Sequence, residues 1–262
     1  VTAPSHLARD LAIGVGVGAF SGALGVGGGI LLVPFLVLFL HWQQKRAQAT
    51  SLVMIAMSGA AGALTYTLGD SVDWRAAGVI VVGGLAGSLI GSHIMQRTAD
   101  HRLQILFGAL LVVVSIRLLF NTSTVVESPT ADLSTMAIVG LVISGIAMGI
   151  LSALFGIGGG ILLIPILVTF FGFGQQLAAG TSLAVIVPIS LVGALRLSRP
   201  GLTDWAVGAR YGIGAVLGAV LGATAALSVP GTYVRYVFAV VLALIAIRMI
   251  RTGWVGRSLL NP

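Results

Sequence analysis

The sequence predicts an all-α, multi-pass membrane protein built from two homologous repeats. Three observations predict it. Of the 262 residues, 57% are hydrophobic and only 8% charged, with mean hydropathy +1.09. A soluble domain carries roughly 25% charged residues, so this chain cannot cover itself with polar surface. Apolar stretches of about 20 residues recur along it, the length that a spanning helix needs. Finally, one ten-residue segment occurs twice, as GVGGGILLVP at Gly25 to Pro34 and as GIGGGILLIP at Gly156 to Pro165, 131 residues apart. The offset persists: Thr50-Ser51-Leu52 maps onto Thr181-Ser182-Leu183, Asp73-Trp74 onto Asp204-Trp205, and Arg117 onto Arg248. The repeats are read as residues 1–120 and 136–262, with a linker at 121–135.

The apolar segments are expected at 11–40, 48–68, 76–96, 103–120, 136–171, 177–196, 206–227 and 232–250. The first is too long for one ordinary span and carries glycines at its middle. Proline fits only the first turn of a helix, so Pro34 predicts a helix starting two or three residues before it, after Gly27-Gly28-Gly29. Some ten residues to His41 then span about 15 Å, half a bilayer. Thr50 and Ser51 fall near the start of the second segment. The third carries Gly83, Gly87 and Gly91, and Trp74 before it reads as an interface anchor. Residues 121–135 (NTSTVVESPTADLST) are the longest polar stretch. The second repeat follows the same order, with Gly158-Gly159-Gly160 before Pro165, Thr181-Ser182, and Trp205 before Gly214, Gly218 and Gly222. Pro188 has no counterpart, since Met57 holds that place, and it predicts a kink. The glycine ladders at i, i+4 spacing, including Gly14-Gly18-Gly22, read as close helix contacts in lipid.

Segments 11–40 and 136–171 are either single tilted helices or glycine-broken, re-entrant hairpins. Cytoplasmic loops accumulate Lys and Arg. With hairpins, eleven of the fourteen basic residues fall on one side, and only Arg75, Arg117 and Arg235 on the other. With eight simple spans the split is nine to five. The sequence therefore predicts inverted repeats with both termini cytoplasmic. Residues 1–10 do not read as a signal peptide.

The glycine clusters carry the chemistry. A half-helix that begins inside the membrane directs free N–H groups and its positive dipole end at the midplane. Gly27, Gly28, Gly29, Gly158, Gly159 and Gly160 are therefore candidate binding residues for an anion, or else they only permit tight packing. Thr50, Ser51, Thr181 and Ser182 either bind oxyanion oxygens or a coupling cation, or cap their helices. Gln48 and Gln176 are weaker candidates of the same kind. All seven acids are expected at helix ends or in loops, leaving no obvious buried carboxylate relay. His93, the histidine nearest a helix interior, is either a functional candidate that could carry a proton or an interfacial residue near the cytoplasmic end.

Several classes are excluded. The net charge of +7 is not a nucleic-acid stripe, because the basic residues stand singly between apolar runs. With no cysteine there is no disulfide or thiolate metal site. Ile30 stands where a dinucleotide fingerprint needs its third glycine, and no P-loop lysine is present. No nucleophile–base set or carboxylate pair supports an enzyme. No cofactor or metal is expected.

The paired GxGGGxxxxP segments, each followed by TSL and later DW, resemble the sulfite exporter TauE/SafE family of bacterial permeases over about residues 11–250. The resemblance implies a multi-pass protein of the bacterial inner membrane that carries a small sulfur-containing anion, such as sulfite or a C2 sulfonate. The expected function is a secondary transporter, an exporter working by alternating access. The alternatives are an anion channel, or a structural membrane subunit without transport activity. The expected partners are the small anionic substrate and the lipid bilayer. A coupling proton or sodium ion, and a homodimer, are left open.

Overall fold

A computed structural model describes residues 4–120, 134–228 and 243–254. The described residues are helical, as α1 (Pro4–Leu24), α2 (Gly29–Leu38), α3 (Gln44–Leu68), α4 (Trp74–Arg97), α5 (Asp100–Phe120), α6 (Thr135–Phe155), α7 (Gly160–Phe171), α8 (Gln175–Ser198) and α9 (Trp205–Ser228). Residues 243–254 form a further helix, α10. Most of the predicted linker, 121–133, and the start of the expected segment 232–250 lie outside the described residues.

Six of these helices (α1, α3, α4, α6, α8 and α9) are long and apolar enough to cross a membrane. The two overlong segments are not single helices. Each breaks at its glycines into a long helix and a short one, α1–α2 and α6–α7. α2 has ten residues and α7 twelve, about 15–18 Å of helix. They begin earlier than proline predicts. Pro34 and Pro165 are each the sixth residue of their helix, in the second turn. Glycine in the left-handed region at Gly28 and Gly159 sets the start instead.

α3 and α8 form the centre and run antiparallel. The Gly193 Cβ position lies 3.0 Å from Leu52, that of Gly62 lies 2.9 Å from Leu183, and Gly180 sits against Tyr66 at 2.8 Å. Around them α1 packs on α9, and α4 on α6. The glycine ladders make these seams. Gly14, Gly18 and Gly22 lie against backbone at Tyr211, Ala215 and Ala219, while Gly214, Gly218 and Gly222 return the contact to Leu11, Val15 and Ala19. Gly83, Gly87 and Gly91 lie against Val142, Ile146 and Ile150. A Cβ at these positions would collide with a neighbouring carbonyl, so only glycine lets the axes approach this closely.

Two further expectations are corrected. Thr50 and Thr181 are the seventh residues of α3 and α8 and cannot cap them. Asp10 is neither at a helix end nor in a loop. It lies in the second turn of α1, 4% exposed, with Arg9 at 3.2 Å. α1 starts at Pro4, seven residues before the apolar segment was expected.

Candidate functional site

Each glycine segment repeats the same backbone. Gly25, Gly27 and Gly28 have φ of 69°, 86° and 71°, and Gly156, Gly158 and Gly159 have 65°, 82° and 78°. Side chains rarely tolerate such φ, which explains why the motif needs its glycines. The turn keeps few bonds for itself. Gly25 N–H donates to Ser21 O at 2.9 Å, and Gly156 N–H to Ser152 O at 2.8 Å. Leu31 and Leu32 donate to Gly28 O, and Leu162 and Leu163 to Gly159 O. Among the described residues, no backbone acceptor meets the N–H groups of Val26, Gly27 and Gly28, or of Ile157, Gly158 and Gly159. All six residues are buried. A buried N–H without a partner is rare and costs about 1–3 kcal/mol.

The two segments are laced across the repeats. Ser51 Oγ donates to Gly156 O at 2.6 Å, and Ser182 Oγ donates to Gly25 O at 3.1 Å. The threonines beside them face the other way. Thr50 Oγ1 accepts from Asp204 N–H at 3.1 Å, and Thr181 Oγ1 accepts from Asp73 N–H at 2.9 Å. Those aspartates in turn begin α9 and α4, accepting from Val207 N–H and from Arg75 and Ala76 N–H. The serine, the threonine and the Val207/Ala76 contacts each recur at the 131-residue offset. Of the four predicted hydroxyls, those of Ser51 and Ser182 are thus brought to the glycine segments and those of Thr50 and Thr181 are not, and all four hold protein groups. A serine proton given to a carbonyl cannot also be given to an anion; its lone pairs remain for a donor or cation.

At the centre stand two isoleucines. The Cβ position of Gly27 lies 3.1 Å from Ile55 and 3.4 Å from Ile186, and that of Gly158 lies 3.0 Å and 3.3 Å from the same residues. The half-helix starts therefore do not open onto one shared chamber. Each has its own polar flank. Ser21 and Ser152 are 1% and 0% exposed, and their hydroxyls have no partner. Ser21 Cβ lies 3.2 Å from the Cβ position of Gly28. Gln48 is fully buried, with both amide atoms unpartnered, and its Cα lies 2.6 Å from the Cβ position of Gly156. Gln176 is exposed and donates to Ala226 O at the end of α9.

The serines were missed by sequence reasoning, although a signal exists: each lies four residues before its glycine segment, at the same offset. A helical serine usually donates back to a carbonyl four residues earlier, as Ser144 does to Gly140. Ser21 and Ser152 share burial without a partner with Ser190 on α8, and differ from it in lying beside a glycine turn.

Ion pairs gather at one end of the bundle. Arg46 reaches Asp204 at 2.9 Å and stacks on Trp42 at 4.5 Å, while Lys45 donates to Gln96 O at 3.0 Å. At the matching places of the other repeat stand Leu177, Asp73 and Gln176. His93 is exposed.

The sequence model of the sulfite exporter TauE/SafE family matches residues 2–118 and 141–259. Among curated proteins, YunE of Bacillus subtilis, described as a probable membrane transporter protein, is 27% identical over 92% of this chain and 96% of its own length. A probable membrane transporter protein of Xylella fastidiosa is 30% identical over 91% of this chain and 92% of its own. Another from Haemophilus influenzae is 24% identical over 91% and 96%. No solved structure matches.

Proposed function

The chain belongs to the sulfite exporter TauE/SafE family, and from that premise we propose that it exports a small sulfur-containing anion across the bacterial inner membrane by alternating access. The observation that carries the proposal is the pair of glycine turns, in each of which three buried N–H groups have no backbone acceptor among the described residues and lie close to the unpartnered Ser21 or Ser152 hydroxyl. Three N–H donors and one hydroxyl donor in each niche suit an oxyanion, and they provide this in a low-dielectric setting without a buried cation. The N–H groups of Val26, Gly27 and Gly28 with Ser21 make one niche, and those of Ile157, Gly158 and Gly159 with Ser152 the other, while the Gly29 N–H is taken by Gly27 O at 2.9 Å. Ser51 and Ser182 brace the niches while Thr50 and Thr181 hold the starts of α9 and α4, and the free lone pairs of all four suit a coupling sodium ion or proton.

Antiparallel α3 and α8, which correspond at the repeat offset, support an inverted arrangement. So does the gathering of Lys45, Arg46, Arg97, Arg102, Arg196 and Arg199 at the end opposite Arg75; that end is cytoplasmic in this reading. Ile55 and Ile186 between the niches then act as the barrier that the anion passes as the two halves rock.

The test is thermal stability of the detergent-purified protein against sulfite, sulfate, thiosulfate, small sulfonates and carboxylate analogues, followed by flux in liposomes. A ligand that binds only the folded state at 100 times its Kd adds about 2.7 kcal/mol, a shift of roughly 5–10 °C for a chain of this size. The expected result is a saturable shift with sulfite or sulfonates, and uptake accelerated by the same anion on the opposite side. No shift with any anion in folded protein defeats the reading. Flux without acceleration by opposite-side anion makes the protein a channel instead.

A further inference from the structure

The two niches are not equivalent, and the difference lies on α3. Gln44 and Gln48 stand one helical turn apart on the same face, the face that continues to Ser51 on Gly156 and to Ile55 between the glycine turns. Both are fully buried, and neither their Nε2 nor their Oε1 atoms have a partner. Ser152, whose carbonyl receives the Gly156 N–H, is likewise buried and unpartnered. The corresponding places in the other half hold Gln175, which is exposed, and Ala179, which is 2% exposed. One niche therefore has a polar approach of two carboxamides, and the other has an alanine.

Each carboxamide presents one acceptor oxygen and one NH2 donor, whichever way it is turned. A bare oxyanion has only acceptors. It can engage both NH2 groups and the Ser152 hydroxyl, but it leaves two buried carbonyl oxygens unsatisfied, each at a cost of about 1–3 kcal/mol. A ligand with a hydroxyl or ammonium group beside its anionic head satisfies both kinds of atom.

We propose that Gln44, Gln48 and Ser152 form a one-sided subsite that selects anions carrying their own hydrogen-bond donor. The inference rests on the carrier reading above and adds to it the class of substrate: a hydroxylated or aminated sulfonate ahead of a bare one. Gln48 holds the donor group nearest the Gly156–Gly159 turn, and Gln44 receives it one turn further out along α3.

The experiment compares isethionate and taurine with ethanesulfonate, which has a methyl where they have –OH or –NH3+, with sulfite as the small reference anion. Affinities are read from concentration-dependent melting shifts of the purified full chain. The subsite predicts isethionate or taurine binding at least about tenfold more tightly than ethanesulfonate, since a site built around a polar group rejects the analogue that lacks it. In Gln48→Leu and Gln44→Leu that ratio falls towards one. Both variants should fold, because replacing an unpartnered buried amide with an apolar side chain of similar length is neutral or stabilising. Equal binding of the three sulfonates by the wild type, or a ratio unchanged in both variants, overturns the subsite and leaves the carrier reading standing. No shift with any of the four anions overturns both.

Discussion

The glycines of the two turns are constrained both by φ and by their neighbours, and the neighbours separate Gly28 from Gly159. Both have positive φ, 71° and 78°, so alanine costs about 1–2 kcal/mol at each. At Gly28 the new methyl would meet Val17 at 3.0 Å, Met54 Cε at 3.1 Å and Ser21 at 3.2 Å, and the methionine end can move aside. At Gly159 it would meet Met148 Cγ at 2.5 Å and the Met148 carbonyl at 2.7 Å, and that carbonyl is fixed by the helix. Gly159→Ala should therefore lower the melting temperature by several degrees more than Gly28→Ala, at roughly 2–4 °C per kcal/mol. A differential scan of both variants checks this; an equal loss would mean that φ alone matters. From the sequence the glycines were evident as a pair of motifs, but the motif is the same in both halves. The inequality arises at Met148, which stands where the first half has Val17 and whose carbonyl as well as its side chain crowds Gly159, a closeness of approach that sequence spacing does not report.

At the level of elements, the ladders were legible and their pairing was not. Small residues every four positions announce a close contact, and Gly14-Gly18-Gly22, Gly83-Gly87-Gly91 and Gly214-Gly218-Gly222 all make one. A fourth ladder, Gly145-Gly149 on α6 completed by Ala153, went unread because it has only two glycines; they lie against backbone at Ile80 and Gly84. Which ladder meets which follows from the whole packing, since all present the same flat surface. Gly16 is the internal control, with nothing within 4 Å of its Cβ position. Gly18→Leu should separate α1 from α9 and yield protein that melts early or aggregates, whereas Gly16→Leu should behave as wild type in size-exclusion and melting experiments. A Gly18→Leu protein with an unchanged melting temperature would remove the ladder's role. The same reasoning shows why the proline rule misplaced two helix starts. The left-handed glycine just before α2 and α7 stops the chain from extending the helix backwards, so it outranks a proline that the second turn tolerates.

Over the whole molecule, near-symmetry is broken at a few places. Met57 packs against Gly212, while its counterpart Pro188 lines an apolar cleft of about 500 Å³ with Ala60, Ala63, Trp74 and Gly78. Arg46 and Asp204 pair at one end, and Leu177 and Asp73 occupy the matching places at the other. Charge counting along the sequence anticipated a basic end; the cross-repeat bonds that gather those residues were beyond it. The absence of cysteine gives a clean background for testing the orientation. An impermeant maleimide should label Arg75→Cys in intact cells and Arg102→Cys only after permeabilisation, both residues being exposed. Labelling of both in intact cells would refute the inverted arrangement. The lacing of each glycine turn by the other repeat's serine has a consequence for biogenesis. The first half can enter the membrane as it leaves the ribosome, but Gly25 lacks the hydroxyl that fixes it until Ser182 has been synthesised, 157 residues later. Until then the first glycine turn is without the bond that ties its Gly25 carbonyl to the second half. A gene split at the junction should yield two polypeptides that mature only when made together, each serving as the other's folding template.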